Sequence, residues 1–208
     1  MEWASILPGI IAALTAAIGL PIALRKRKKS GPQNVEQFFH HLQEMGVKAS
    51  LLERGAEEAK VGLSRASGQR SEGVIKIEGR NIDYINVISV TSQYGVRYFL
   101  DNLVKISNWT SRKNRKKTRM IKRRSSSMWG KVAHIEWKGD DYLARELNHD
   151  YQLTDTLLQS ELGRSRGSIS IAPEPKHEYA RVRTDYLLPS PDLFEAIDTV
   201  ARYIKSGW

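Results

Sequence analysis

Twenty-two consecutive uncharged residues, Trp3 to Leu24 (WASILPGIIAALTAAIGLPIAL), run directly into Arg25-Lys26-Arg27-Lys28-Lys29. At ~1.5 Å of rise per residue, a helix of that length spans roughly 33 Å, which matches a hydrocarbon core of about 30 Å. A helix buried in a globular core needs only about 10 to 14 apolar residues. Pro8 and Pro21 fall near the ends of the run, where a missing N–H disrupts a helix least. Small residues (Gly9, Ala12, Ala13, Ala16, Gly19) permit close helix contact, although no full G-x-x-x-G occurs.

The flanks of this run set its expected orientation. A cleaved secretory leader carries its positive charge before the apolar stretch and small residues at a cleavage site after it. Here Met1-Glu2 precede the run and the basic cluster follows it. The expectation is a signal-anchor, a single-pass helix in the cell membrane. The positive-inside rule places the N-terminus outside and everything from Arg25 onward in the cytoplasm. Residues 1–29 are then the anchor with its basic flank, 30–33 (Ser30-Gly31-Pro32 and one more) a linker, and 34–208 a cytoplasmic domain.

A mean hydropathy of −0.46 and 27% charged residues fit a globular body of about 175 residues rather than a polytopic membrane protein. The chain has no cysteine, which rules out disulfides, thiolate metal sites and thiol nucleophiles. Its net charge is +10, concentrated in two places. Five cations are those of residues 25–29. Nine more lie between positions 112 and 124: Arg112, Lys113, Arg115, Lys116, Lys117, Arg119, Lys122, Arg123 and Arg124. With those fourteen set aside, 19 Lys and Arg face 23 Asp and Glu, a net of −4. The body is mildly acidic and carries two cationic patches.

Periodicity gives the order of elements. Val35, Phe38, Phe39, Leu42 and Met45 share one helical face, and Gly46 stops the helix. Val47 to Leu52 reads as a strand, Glu57 to Lys60 as a helical turn, and Gly62 to Gly73 as a polar loop. Strands are expected from Val74 to Glu78, from Ile82 to Thr91 and from Val96 to Ile106, with turns at Gly79-Arg80-Asn81 and Ser92-Gln93-Tyr94-Gly95. A basic loop covers about 107–130, and Lys131 to Trp137 forms a further strand. A helix opens at Gly139-Asp140, breaks near Asn148 to Tyr151 and resumes through Leu158; Gly163 to Gly167 is a polar, flexible loop. Two strands, Ser168 to Ala172 and Tyr179 to Leu187, pair across the intervening turn. Ser190 then caps a last helix with Pro191 in its first turn and Leu193, Ile197, Val200 and Ile204 as its buried stripe. This order predicts an α+β soluble domain with a largely antiparallel sheet, preceded by a single N-terminal transmembrane helix.

The chemistry legible in the chain is sparse. No glycine-rich phosphate loop and no nucleophile elbow occurs. His40 and His41 project about 100° apart on a helix, so they do not meet as ligands at i, i+4 spacing would. His134, His149 and His177 read as surface or satisfied histidines. Asp140, Asp141, Glu146, Asp150 and Asp155 gather in one helical region, where helix capping accounts for the acidic residues at its start. No catalytic, cofactor-binding or metal-ligating residue is assigned, and no cofactor is expected.

The segment SNWTSRKNRKKTRMIKRRSSSMWGK, Ser107 to Lys131, is the one composition that points to a ligand. It reads as a solvated loop, as a contact with anionic lipid headgroups, or as a nucleic-acid binder. Lipid attracts each nearby cation by about 1 kcal/mol, and the flanking Trp109 and Trp129 suit an interface. Nucleic acid is less favoured, since no RNA- or DNA-binding motif accompanies the charge. The expectation is a membrane-anchored binding or adaptor module, with the lipid bilayer and an unidentified protein as partners. Its polyanion-binding residues are the fourteen cations named above. The alternatives are a membrane-tethered nucleic-acid-binding protein and a metal-dependent hydrolase using the Asp140 to Asp155 carboxylates.

Overall fold

The computed structural model describes residues 31–63, 68–107, 109, 115–125, 132–165 and 167–207. The chain divides into two units, Met1–Ser30 and Gly31–Trp208. The expected anchor and the cations Arg25, Lys26, Arg27, Lys28 and Lys29 lie outside the described residues, as do Arg112 and Lys113. Among the described residues, no helix is long and apolar enough to cross a membrane.

The second unit is an α+β domain built on one eight-stranded sheet. Its strands are β1 (Ala49–Leu51), β2 (Gln69–Ile77), β3 (Tyr84–Ser92), β4 (Gly95–Lys105), β5 (Thr118–Arg124), β6 (Val132–Lys138), β7 (Ser170–Glu174) and β8 (Tyr179–Asp185). They lie in the order β1-β2-β3-β4-β8-β7-β5-β6, and every neighbouring pair is antiparallel. The helices are α1 (Gly31–Glu44), α2 (Asp141–His149), α3 (Tyr151–Gln159), α4 (Glu161–Arg164) and α5 (Pro191–Gly207).

Alternation along the strands assigns the two faces. Ile75, Ile85, Val87, Leu100, Val104, Val182, Ile171, Met120, Ile135 and Trp137 join Phe38, Leu42, Leu143, Leu157, Leu193 and Val200 of the helices in one core. On the opposite face only a small cluster forms, where Val61 covers Leu103, Tyr179 and Tyr84. The segment around the 3-10 helix Glu57–Lys60 therefore roofs the β2–β3–β4 part of that face. The cover reaches β8, where Tyr179 joins the cluster and Gly62 lies against the Arg181 side chain.

Local chemistry starts and stops the helices. Gly46, at φ +76°, ends α1 in a backbone conformation that glycine adopts without strain. The Asp140 carboxylate accepts the Leu143 N–H to cap α2, and Asp150 accepts that of Leu153 to cap α3, so the break falls between them as expected. The Ser190 hydroxyl accepts the Leu193 N–H at the start of α5. The Asp198 carboxylate, on the buried face of α5, accepts from Asn81 N, Asn81 Nδ2 and Ile82 N, which fixes the β2–β3 turn to that helix.

Three expectations are corrected. The polar loop Gly62 to Gly73 gives way at Gln69 to the first half of β2. That half is polar because it is only partly buried, and it carries a bulge between Ser71 and Gly73. Gly73 also lets α1 approach, since a Cβ there would lie 2.9 Å from Val35 Cγ1. Gly163, placed in a flexible loop, is buried within α4, where a Cβ would meet the Leu157 carbonyl oxygen at 2.6 Å. The basic loop is interrupted by β5, whose Thr118 and Met120 are buried between exposed cations.

Three features gather at one end of the sheet. α1 begins beside the C-terminal end of β8, where the Tyr186 hydroxyl donates to the Asn34 carbonyl. The β3–β4 hairpin turns at the same end: Val90 pairs with Gln69 at the start of β2, and Gly95 closes the ladder against Ser92. The β5–β6 hairpin turns there too, with Arg124 opposite Val132. The β6 edge is partly blunted, because the Asn148 carboxamide pairs with both the N–H (2.8 Å) and the C=O (3.0 Å) of Trp137 as a neighbouring strand would.

Candidate functional site

One row of directly opposed residues crosses the helix-free face from strand to strand: Asn86, Asp101, Arg183, Ser170, Arg119 and Lys138. Its centre is a buried ion pair. Asp101 is fully buried and accepts from Arg183 Nε at 2.6 Å and from Nη2 at 2.7 Å. Arg181, one row along β8, lies 3.7 Å from the same carboxylate and donates from Nε to Glu174 at 2.8 Å. Burial opposes the Arg183 charge, but the hydrogen bonds and charge of Asp101 outweigh it and hold this guanidinium above its usual value. Its Cζ also stands 5.5 Å from the Phe99 ring centroid, with Arg97 at 5.3 Å. Two arginines are thus fixed in place by carboxylates.

The seven described cations of the basic segment have different fates. Arg115 and Lys116 are tied to the start of α2: Arg115 donates to the Gly207 carbonyl at 2.7 Å and lies 3.5 Å from Asp140, and Lys116 lies 3.7 Å from Asp141. Lys122 turns to the helix side and donates to the carbonyls of Leu162 and Ser165, where burial pulls its ammonium below the usual lysine value. Arg123 pairs with Glu136 at 3.0 Å, and Arg124 is exposed at the hairpin end. Lys117 and Arg119 point to the helix-free face, and no described residue accepts a hydrogen bond from either. Partial burial, with Arg119, Arg181 and Arg183 close by, holds the Lys117 ammonium below its usual value. A lysine whose folded value is lowered costs stability while it is charged, and that cost is relieved as pH rises through its range.

The acidic cluster does not form a site. Asp140 and Asp150 are caps, Asp150 also accepting from the Tyr203 hydroxyl at 2.9 Å. Asp141 and Glu146 face Lys116 and Arg145, and Asp155 is exposed. No group of three or more His, Asp or Glu side chains converges among the described residues. A polar groove of about 790 Å³ does lie along α3, α4 and α5, lined by both signs of charge from Asp150, Glu161, Arg164, Asp192 and Arg202.

Arg181 and Arg183 were absent from the sequence-derived candidates. Their alternation about Val182 marks them as sharing a face, but only the strand order shows that Arg119 lies two strands away. Comparison of the chain with protein-family models, curated proteins and solved structures returns no match.

Proposed function

We propose that this protein is a membrane-tethered binding module whose α+β domain rests one end of its sheet on anionic lipid headgroups. The observation that supports this reading is the coincidence of three features at one end: the start of α1, through which residues 1–30 are joined, and the β3–β4 and β5–β6 hairpin turns. From the level of the Asp101–Arg183 pair, β4 continues six residues to Gly95, and β5 continues five from Arg119 to Arg124. At ~3.3 Å per residue the two hairpins rise by roughly 20 and 17 Å, fanned apart by the twist of the sheet.

The two tips suit an interface. Tyr94 is 91% exposed and Val96 46% exposed at the end of β3–β4, beside Arg97. Arg123, Arg124 and Ser125 stand at the end of β5–β6. An aromatic ring with a polar tip favours the headgroup layer, and each cation nearby adds about 1 kcal/mol. On this reading the domain faces the cytoplasm, as the charge after Leu24 implies.

Every core residue among the described residues lies at position 35 or later, so the fragment 31–208 is expected to fold. It should bind phosphatidylserine-containing vesicles in sedimentation assays, less so as salt rises. Replacing Arg123 and Arg124 with glutamine should weaken partitioning by about tenfold, allowing for the Arg123–Glu136 pair. Equal binding to neutral vesicles would overturn the reading. An oligonucleotide that displaces the vesicles competitively would favour the nucleic-acid alternative instead.

A further inference from the structure

Between β8 and β5 the helix-free face forms a trough. Its floor is β7, which presents Ser170 and Ala172 opposite Arg183 and Arg181, and then Glu174, which holds Arg181. One wall is Arg181 and Arg183; the other is Arg119, opposite Ser170, and Lys117 two residues before it. Two strand spacings of about 4.8 Å separate the walls at their backbones, so four cationic side chains flank a strip of two small ones.

We propose that this trough binds a phosphoryl group, carried by a small phosphorylated compound or by a lipid headgroup. The reading goes beyond lipid docking by the hairpin ends and does not depend on it. Two guanidiniums are pre-positioned by Asp101 and Glu174, so little side-chain freedom remains to be lost on binding. Planar N–H forks held in this way match the oxygens of a tetrahedral anion. Lys117 and Arg119 supply donors with no partner among the described residues. A dianion among them would offset the like-charge crowding that Lys117 experiences.

The charge pattern also limits the size of the ligand. Asp185 and Glu136 stand on the same face on the side of the hairpin ends, and Glu174 stands toward the other. A long chain of phosphates lying along the strands would meet these carboxylates. A single phosphate or pyrophosphate would not.

The test uses the full chain in phosphatidylcholine nanodiscs, titrated calorimetrically with inorganic pyrophosphate. Saturable binding is expected. Lys117→Gln and Arg119→Gln should each weaken it by about tenfold, the size of one charge-assisted hydrogen bond worth about 1.4 kcal/mol. Ser170→Gln, which fills the floor without changing charge, should do the same. Lys48→Gln, an exposed cation outside the trough, should leave affinity unchanged. Discs doped with phosphatidylinositol bisphosphate separate the two sources. Competitive loss of pyrophosphate binding identifies a headgroup, and undiminished binding identifies a soluble ligand. Lys117→Gln removes an unfavourable charge, so it should not lower the melting temperature. Non-saturable binding, or equal weakening by Lys48→Gln, would overturn the proposal, whatever Arg123 and Arg124 do on vesicles.

Discussion

Replacing Asp101 with asparagine is expected to lower the unfolding free energy of the 31–208 fragment by about 3 kcal/mol. The side chain keeps its shape, so the loss reflects charge and hydrogen bonding. Asp101 is fully buried, and Arg183, with 18% of its side chain exposed, loses its counter-charge and one of its two acceptors, which becomes an opposing N–H donor. Arg181 retains Glu174, but its second carboxylate at 3.7 Å disappears. An uncompensated guanidinium that is largely out of water has no inexpensive alternative, because it stays protonated throughout the accessible pH range. Its residual exposure keeps the expected cost at the lower end of the range for broken buried pairs. Urea unfolding followed by tryptophan fluorescence would measure it. A change within about 0.5 kcal/mol, the usual scatter for surface substitutions, would mean that water already solvates Arg183.

The second large effect is expected at Gly139, which links β6 to α2. Its φ of +143° is a conformation that side chains rarely adopt. A Cβ there would be driven into the Lys117 carbonyl oxygen and would lie 2.6 Å from Thr118 Cα. Neither atom can swing away, since both are backbone at the start of β5. Thr118 is buried and its Oγ1 accepts the Asp140 N–H at 3.1 Å, while Asp140 accepts the Lys116 N–H at 3.2 Å. Strain and overpacking act together, so Gly139→Ala should cost about 3 kcal/mol or more. It should also displace the chain that carries Lys117. Unfolding midpoints close to those of the unsubstituted protein would show that β5 shifts without penalty.

Most of the fold could be read from residues with local causes. Ser190 and Asp140 cap the helices they were expected to open, and Asp150 caps the helix that resumes at the expected break, because an N-cap depends on only three residues beyond it. The turn at Glu57–Lys60 and the hairpin return after Gly95 likewise arise from short-range pattern. β5 was illegible for a specific reason. Of its seven residues only Thr118 and Met120 are buried, and the rest of the strand is dominated by cations whose apolar stems lie along the sheet. Its partner β7 comes some fifty residues later, a pairing no local window contains.

The candidate site was legible only in part for the same reason. Nine cations in one segment suggested a single basic patch, but alternation splits those among the described residues. Lys117 and Arg119 share the helix-free face, while Lys122 turns to the other side and caps carbonyls there. The two arginines that complete the trough come from β8, more than fifty residues along the chain. The lone register pair Arg119–Ser170, next to Ser170–Arg183, brings them together.

The sharpest test of membrane docking uses the absence of cysteine from the chain, which makes single labels clean. Nitroxides would be placed on Tyr94→Cys, at the β3–β4 tip, and on Lys176→Cys, in the turn between β7 and β8 at the other end of the sheet. With the full chain in phosphatidylserine-containing liposomes, oxygen and nickel accessibilities report the depth of each label. Docking by the hairpin ends predicts a lipid-proximal label at position 94 and an aqueous one at position 176, with the difference shrinking at high salt. Two equally aqueous labels, or a lipid-proximal label at position 176, would contradict it.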